Sequence, residues 1–534
     1  MKLNVKAGSA GAYSIVVKEQ TLKVDGAADD LDSFSVKSNG NCIEITGSAA
    51  RGAMYGCYDF LEDVIGWCFM DNVTEANSEY LSPKDSLDVS GLDYTETSVF
   101  EHRAAYNTIY LNEETCVSQD YTWDNDISSK HKLARMAWVD NLHFAHTFLP
   151  LTNWETDGSL QPCLSDEKIY KQMLGNILSY LRADPDAELI SVTQNDNVNY
   201  CTCESCMTAY AKYSFSSDPT EGGTAGQLLE FVNRLADEVK KEFPDVYLVT
   251  FAYTYTRHAP KGIVPRDNVM VQLCSLEACF NHPLDGITCN ESFAKDIADW
   301  SAICDNLYIW DYNNNFGYRG CPFPNMKYDV LAGNMALFAN NNTIGVFVQG
   351  NGVDAGNGEF DRLRWYLTAK LLWNPYMTEA EYDAEVCKFM EAYYGDGWEH
   401  VYKALEVFNE NYKRCMGLYD DIKETWMIST MGGCAQTLVD EMESAKLMTE
   451  SLAEFEAVDC SQMQFDYLLI CINFNKHYKD ETLKGAIVDY CFELQAKFQK
   501  YEIRFSANYP IPNLTEITKA PCDWKDLIEE QQSW

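Results

Sequence analysis

Three carboxylates stand where apolar runs end. Asp196 follows LISVTQN, Glu277 follows VQLCSL and Asp311 follows LYIW. Glycoside hydrolysis needs one carboxylic acid to protonate the leaving oxygen, and a second carboxylate or a substrate acetamido group at the anomeric carbon. Carboxylates at three strand ends could converge on one pocket. Glu277 is the first choice for acid/base, because an unpaired carboxylate after an apolar run is costly to ionise and its pKa would rise toward that of a general acid. Asp196 or Asp311 would then orient an acetamido group or act as the second carboxylate. The plainer alternatives are a helix N-cap for Asp196 and a salt bridge for Asp311.

Asn197, Tyr253, Tyr255, Trp310 and Tyr312 are of the types that hold a sugar. Ring C–H faces bury on flat aromatic surfaces while polar groups fix the hydroxyls. His146, Arg103 and His282 are further polar contacts in this reading. His143 and His146, three apart in an apparent strand, would face opposite sides and so would not share a metal. Cys201, Cys203 and Cys206, spaced C-x-C-x-x-C, have a fourth thiol available in Cys163. Four thiolates suit a closed structural zinc site, whereas a catalytic zinc keeps an open position. Reduced thiols, or a disulfide in an oxidising compartment, are the other readings. No cofactor is expected for catalysis.

Positioning such groups takes a scaffold of strands. Residues 96–376 alternate strand and helix, with candidate strands at 102–110, 142–149, 188–194, 246–253, 269–277, 307–312 and 345–350. The clearest helix is 225–243, where Leu228, Leu229, Val232, Leu235, Ala236 and Val239 form one stripe and Pro244 ends it. This pattern predicts a TIM-like (β/α) barrel, with chemistry past the C-terminal strand ends. Residues 1–95 read as a small α+β domain, in which SIVVK, FSVKS and CIEITG are strands and ARGAMYGCYDFLEDVIGW is a helix. SPKDSLDVSG is a linker. Residues 377–534 carry apolar spacing of helical period and form a helical C-terminal domain.

The 534 residues are too many for one compact core, which supports this division. A net charge of −40 repels nucleic acid phosphates and anionic membrane surfaces, so neither is an expected partner. The N-terminal stretch lacks the apolar core of a signal peptide, which points to the cytoplasm and to reduced thiols. The expected partner is an oligosaccharide; the oligomeric state is open.

RGAMYGCYDFLEDVIG resembles the helix of the small N-terminal domain shared by family 20 and family 67 glycoside hydrolases. The ordered set HTFLPL, QPCLSDE, SVTQNDNVNYCTCESC, GQLLEFVNRLADEV, FAYTYTRHAPKG, LCSLEACFNHPL, YIWDYNNNF, PFPN and LRWYLTAKLLWNP resembles the domain of unknown function 4838 family. Part of that family is classified as glycoside hydrolase family 163, whose members are endo-β-N-acetylglucosaminidases acting on complex N-glycans. The resemblance implies a retaining barrel glycosidase, with substrate assistance by an acetamido group as one route. The aspartate–glutamate neighbours of family 20 are absent here, since Asn197 follows Asp196. The segment between HTFLPL and QPCLSDE is also shorter than in relatives. Two rivals stand beside this reading. An α-glucuronidase-like enzyme would need Arg103, Arg257 or Arg319 at the sugar carboxylate. A non-catalytic carbohydrate binder would use the carboxylates only as hydrogen-bond acceptors.

Overall fold

The computed structural model describes residues 14–22, 32–69, 79–82, 86–107, 136–137, 145–153, 159–185, 187–286, 289–313, 328–352, 360–413, 415, 417 and 430–501. His143 and Arg319 lie outside them.

The three N-terminal strands form as their alternation predicts: β1 (Ser14–Glu19), β2 (Phe34–Asn39) and β3 (Cys42–Gly47). Helix α1 (Ala50–Asp59) runs into a wider π turn over Phe60–Ile65. After a short ribbon of β4 (Trp67–Phe69) and β5 (Glu79–Leu81), strand β6 (Asp93–Glu96) returns to pair antiparallel with β2, giving sheet order β1-β3-β2-β6. The apolar face of this sheet, Phe34, Val36, Ile43 and Ile45, packs with Tyr55, Phe60 and a distant Trp373.

Among the described residues, seven strands build the larger sheet: β7 (His102–Asn107), β8 (Met136–Ala137), β9 (Leu189–Ser191), β10 (Tyr247–Ala252), β11 (Val269–Cys274), β12 (Leu307–Tyr312) and β13 (Thr343–Gly352). All pairs are parallel, in the order β7-β13-β12-β11-β10-β9-β8. The last strand therefore pairs with the first, which is the singly wound order of a curling sheet and not that of a doubly wound one. The pairing of β7 with β8 that would complete a barrel does not occur among the described residues. Every residue of β9, β11 and β12 is buried, as expected of parallel strands covered on both faces. Gly345 in β13 is required by close packing, because a Cβ there would lie 2.3 Å from Tyr308 Cε2 and 2.4 Å from His102 Cβ.

The helices on this sheet are α2 (Glu167–Ala183), α3 (Glu204–Tyr213), α4 (Gly223–Val239), α5 (Glu291–Ser301), α6 (Leu331–Asn340) and α7 (Asp361–Trp373). The predicted stripe of α4 is buried throughout, and Leu228, Val232, Leu235, Ala236 and Val239 pack with Ile190, Val192, Leu248 and Val269. Burial of each of these Leu, Val and Ile side chains is worth roughly 1.5–3 kcal/mol. Beyond residue 377 the described chain is helical: α8 (Glu379–Tyr394), α9 (Trp398–Asn411), α10 (Ala435–Lys446), α11 (Leu452–Tyr478) and α12 (Lys484–Lys500). No described helix is long and apolar enough to cross a membrane.

One expected strand, 142–149, does not form over its described part, residues 145–149. Phe148–Leu151 is a single helical turn, and His146 has a left-handed φ of 56°. A four-residue apolar run fits either period, and Pro150 is tolerated in a first helical turn. The sheet position is taken instead by β8.

Candidate active site

The C-terminal ends of β9 to β12 bring several of the expected residues together. Past β9 the chain leaves the sheet and presents Asp196, whose side chain is 67% exposed. Tyr253, at the end of β10, donates its hydroxyl to Asp196 Oδ1 at 2.9 Å. His146 lies beside both. Its Nδ1 is 2.8 Å from the Gln194 carbonyl, its Nε2 is 4.0 Å from Asp196 Oδ1, and its ring meets Tyr253 at 5.9 Å. An aromatic floor continues from Tyr253 through Phe251 to Trp310, Tyr312 and Phe347, with ring separations of 4.5–6.4 Å. Trp310 Nε1 donates to Gln349 Oε1 at 2.9 Å, which fixes its ring.

Glu277 sits on a turn past β11, closed by Ala278 N donating to Ser275 O at 2.9 Å. The same Ser275 donates its hydroxyl to Asp311 Oδ1 at 2.6 Å, and its N–H to the Trp310 carbonyl. Asp311 thus lies directly beneath the turn that carries Glu277. Buried Cys274 connects the two walls electrostatically: burial first, then the charges of Glu277 and Asp196, push its thiol well above the ordinary value.

Glu277 is not the unpaired, buried acid that the apolar run before it suggests. Its side chain is 37% exposed and Arg257 Nη1 is 3.3 Å from Oε2, because the turn lifts it out of the apolar run. Arg257 is itself held by Ser292 Oγ at 2.6 Å and by Asp296, whose Oδ2 is 2.7 Å from Nε though out of line for a hydrogen bond. Asp296 also takes His258 Nδ1 at 2.5 Å, and that contact raises the histidine's pKa. The sequence reading missed Asp296, although the signal is there: it falls within the apolar stripe Phe293, Ile297, Trp300 of α5, where an acid needs a partner.

Asp311 has a raised pKa. Burial raises it to about 6, opposed by the Ser275 hydroxyl and the Tyr312 N–H. The native state then holds a proton that the unfolded chain releases near pH 4, so stability falls as pH rises from about 4 to about 6. Asp311→Asn should abolish that fall. In urea titrations the variant should gain up to ~3 kcal/mol over the wild type above pH 6, and nothing below pH 4. Equal gains at both pH values would show that Asp311 is not held protonated.

Four expected sugar contacts have other partners as well. Arg103 is wholly buried and pairs with Asp32 Oδ2 at 2.7 Å, with its guanidinium 5.1 Å from the Trp373 ring centre. Tyr255 stacks on Tyr200 at 5.3 Å, lining a shallow crevice with Gln161 and Gln227 that includes none of Asp196, Glu277 or Asp311. Asn197 orders its own loop, its Oδ1 accepting from Asn199 N at 2.9 Å and Gln161 Nε2 at 3.2 Å. His282 belongs to a separate cysteine cluster.

The four expected thiols do come together. The donors of Cys163, Cys201, Cys203 and Cys206 lie within 4.8 Å of one another, and Cys163 Sγ is 3.8 Å from Cys203 and 3.6 Å from Cys206. Tetrahedral zinc with Zn–S bonds of ~2.3 Å sets sulfurs about 3.8 Å apart, so the residues fit the ion. Burial opposes ionisation of Cys206, yet hydrogen bonds from Ser165 and Gln227 bring it down to about 7. Gln161 ties this loop to the Asp196 segment through Asn195 O at 2.8 Å and Asn197 O at 2.9 Å.

The fold is shared with solved glycoside hydrolases. A family GH115 4-O-methyl-α-glucuronidase with specificity for decorated arabinogalactans matches at TM-score 0.57 and 11% identity, over 93% of this chain and 72% of that one. A family 89 glycoside hydrolase from Clostridium perfringens, in complex with PUGNAc, matches at TM-score 0.52 and 10% identity, over 90% of this chain and 63% of that one. This chain thus spans under two thirds of the second enzyme's length, and at such identities the likeness is one of fold. A search of curated proteins returns no match. The model of one family, described as a domain of unknown function, covers residues 74–405, more than half of the chain. The protein belongs to the DUF4838 family.

Proposed function

We propose that the protein is a glycoside hydrolase that cleaves a β-linked, N-acetylhexosamine-containing oligosaccharide on a TIM-like barrel. One observation carries the reading: two solvent-facing carboxylates, Asp196 and Glu277, rise at the C-terminal ends of parallel strands around a floor of Tyr253, Trp310 and Tyr312. The sugar is taken from the family resemblance, as are retention and help from the acetamido group. The geometry favours roles opposite to those expected from sequence. Glu277, paired with Arg257, suits the carboxylate that stabilises charge at the anomeric carbon or on the acetamido group. Asp196 faces a phenol and an imidazole and lies in solvent, where it can regain a proton after donating one to the leaving oxygen. The cysteine cluster is proposed as a structural zinc site that braces the Asp196 loop, outside the chemistry.

An α-glucuronidase would need a cation free to meet a sugar carboxylate. Among the described candidates, Arg103 is committed to Asp32, and Arg257 to Asp296 and Glu277, which weighs against these two in that role. The test is a panel of chromogenic aryl glycosides beside a released N-glycan library, with Glu277→Gln as blank. Release of N-acetylglucosamine-type products by the wild type alone is the expected result. Sugar binding without turnover across both panels would identify a carbohydrate binder instead.

A further inference from the structure

We propose a second tetrahedral metal site, of the zinc type, formed by Cys279, His282, Cys289 and Cys415. The four donor atoms lie within 4.8 Å of one another. The sulfurs of Cys279, Cys289 and Cys415 are 3.2, 3.4 and 3.8 Å from a single atom, His282 Nδ1. A ring nitrogen offers one hydrogen or one lone pair, so it cannot serve three thiols by hydrogen bonding. A shared cation does account for three sulfurs around one nitrogen. Zn–S bonds of ~2.3 Å and a Zn–N bond of ~2.0–2.1 Å at tetrahedral angles separate N and S by about 3.6 Å, which these distances bracket.

The surrounding backbone is built to hold the ligands. Buried Asn290 accepts from Cys279 N at 2.8 Å through Oδ1, and its Nδ2 reaches the carbonyls of Cys279, His282 and Pro283 at 3.0–3.1 Å. Leu284 N is fixed by Asn334 Oδ1 at 2.9 Å. Three ligands therefore come from one loop between β11 and α5. The fourth, Cys415, comes from the chain that follows α9. Cys289 and Cys415 are exposed, so the ion has an entry path, and four protein ligands make the site structural. A set of three thiolates and one imidazole favours zinc over the hard cations.

The placement gives the ion a task. Cys279 is two residues from Glu277, as Cys201 is five from Asp196. Each proposed catalytic carboxylate would then stand on a loop stapled by its own metal. The second ion would also tie the Glu277 loop to the C-terminal helices.

The test is a metal count on the full chain, purified under reducing conditions without chelator. Two zinc ions per chain are expected, one in Cys289→Ser/Cys415→Ser and one in Cys201→Ser/Cys203→Ser. X-ray absorption on the latter protein should show about three sulfurs near 2.3 Å and one nitrogen near 2.0–2.1 Å. Should the first variant fail to fold, the wild type answers alone: alkylation of Cys289 and Cys415, mapped by peptide mass, should be slow until a chelator is added. Labelling at the same rate with and without chelator, an unchanged zinc count in Cys289→Ser/Cys415→Ser, or a disulfide between those two cysteines would overturn the proposal.

Discussion

Glu277→Gln is expected to lower kcat by about 10³-fold while leaving the unfolding midpoint almost unchanged, since acid–base and charge-stabilising carboxylates typically contribute 10²–10⁴-fold. The small stability effect follows from the site. Glu277 is partly exposed, and Arg257 keeps Asp296 and Ser292 when the carboxylate is neutralised. With the carboxylate over a third exposed, solvent screening keeps the pair's worth to roughly 0–1 kcal/mol. The comparison with Asp196→Asn separates the two roles. A proton donor matters less when the leaving group needs no proton, so Asp196→Asn should retain most activity on dinitrophenyl glycosides and little on natural substrate. Glu277→Gln should lose both equally. If Glu277→Gln stays near wild-type turnover, or if the leaving-group dependence falls on Glu277 instead, the role assignment is wrong.

Arg103→Met should destabilise the fold by ~3–5 kcal/mol, the cost of removing one partner from a buried ion pair. Arg103 is sealed between β7 and the N-terminal sheet, where it also donates to the Phe100 carbonyl at 2.7 Å and to Ser98 Oγ at 2.6 Å. Without it, Asp32 keeps Arg51 at 2.9 Å but loses its deepest partner. Asp32→Asn in the Arg103→Met background should restore part of the loss, because the buried charge goes with it. Urea unfolding of the two variants measures this directly, and KM of whatever protein folds should match the wild type. A raised KM with unchanged stability would return Arg103 to the sugar site.

How far the sequence was readable differs from element to element. VMVQLC and LYIWDY are continuous apolar runs of strand length, and both proved to be strands buried on both faces. The stripe in GQLLEFVNRLADEV was long enough for its period to be decisive. LHFAHTFL was not, because its apolar residues fit a helical turn as well as a strand. The burial expected of Glu277 does not occur, for another reason. The apolar residues before it indicated burial, but the chain turns at Ser275, and a turn reverses exposure within two residues. Arg103 illustrates the limit of period-two patterns: alternation separates His102 from Arg103 without saying which face the N-terminal sheet will cover.

By itself the sequence determined what local periodicity and spacing can carry. These are the parallel β/α succession, the three N-terminal strands, the helical C-terminal stretch, three carboxylates at strand ends, and a C-x-C-x-x-C loop with Cys163 as its fourth thiol. The tertiary structure alone decided which side chains share a volume. It put Arg257 opposite Glu277 and Asp296 behind Arg257, sank Asp311 beneath Ser275, and gathered Cys279, His282 and Cys289 with Cys415 from more than a hundred residues away. The reason is physical. Periodicity is set by the backbone geometry of one element, whereas pKa, ion pairing and ligation depend on distances of 3–4 Å between elements, and those are fixed only when the sheet curls and its loops close over the strand ends.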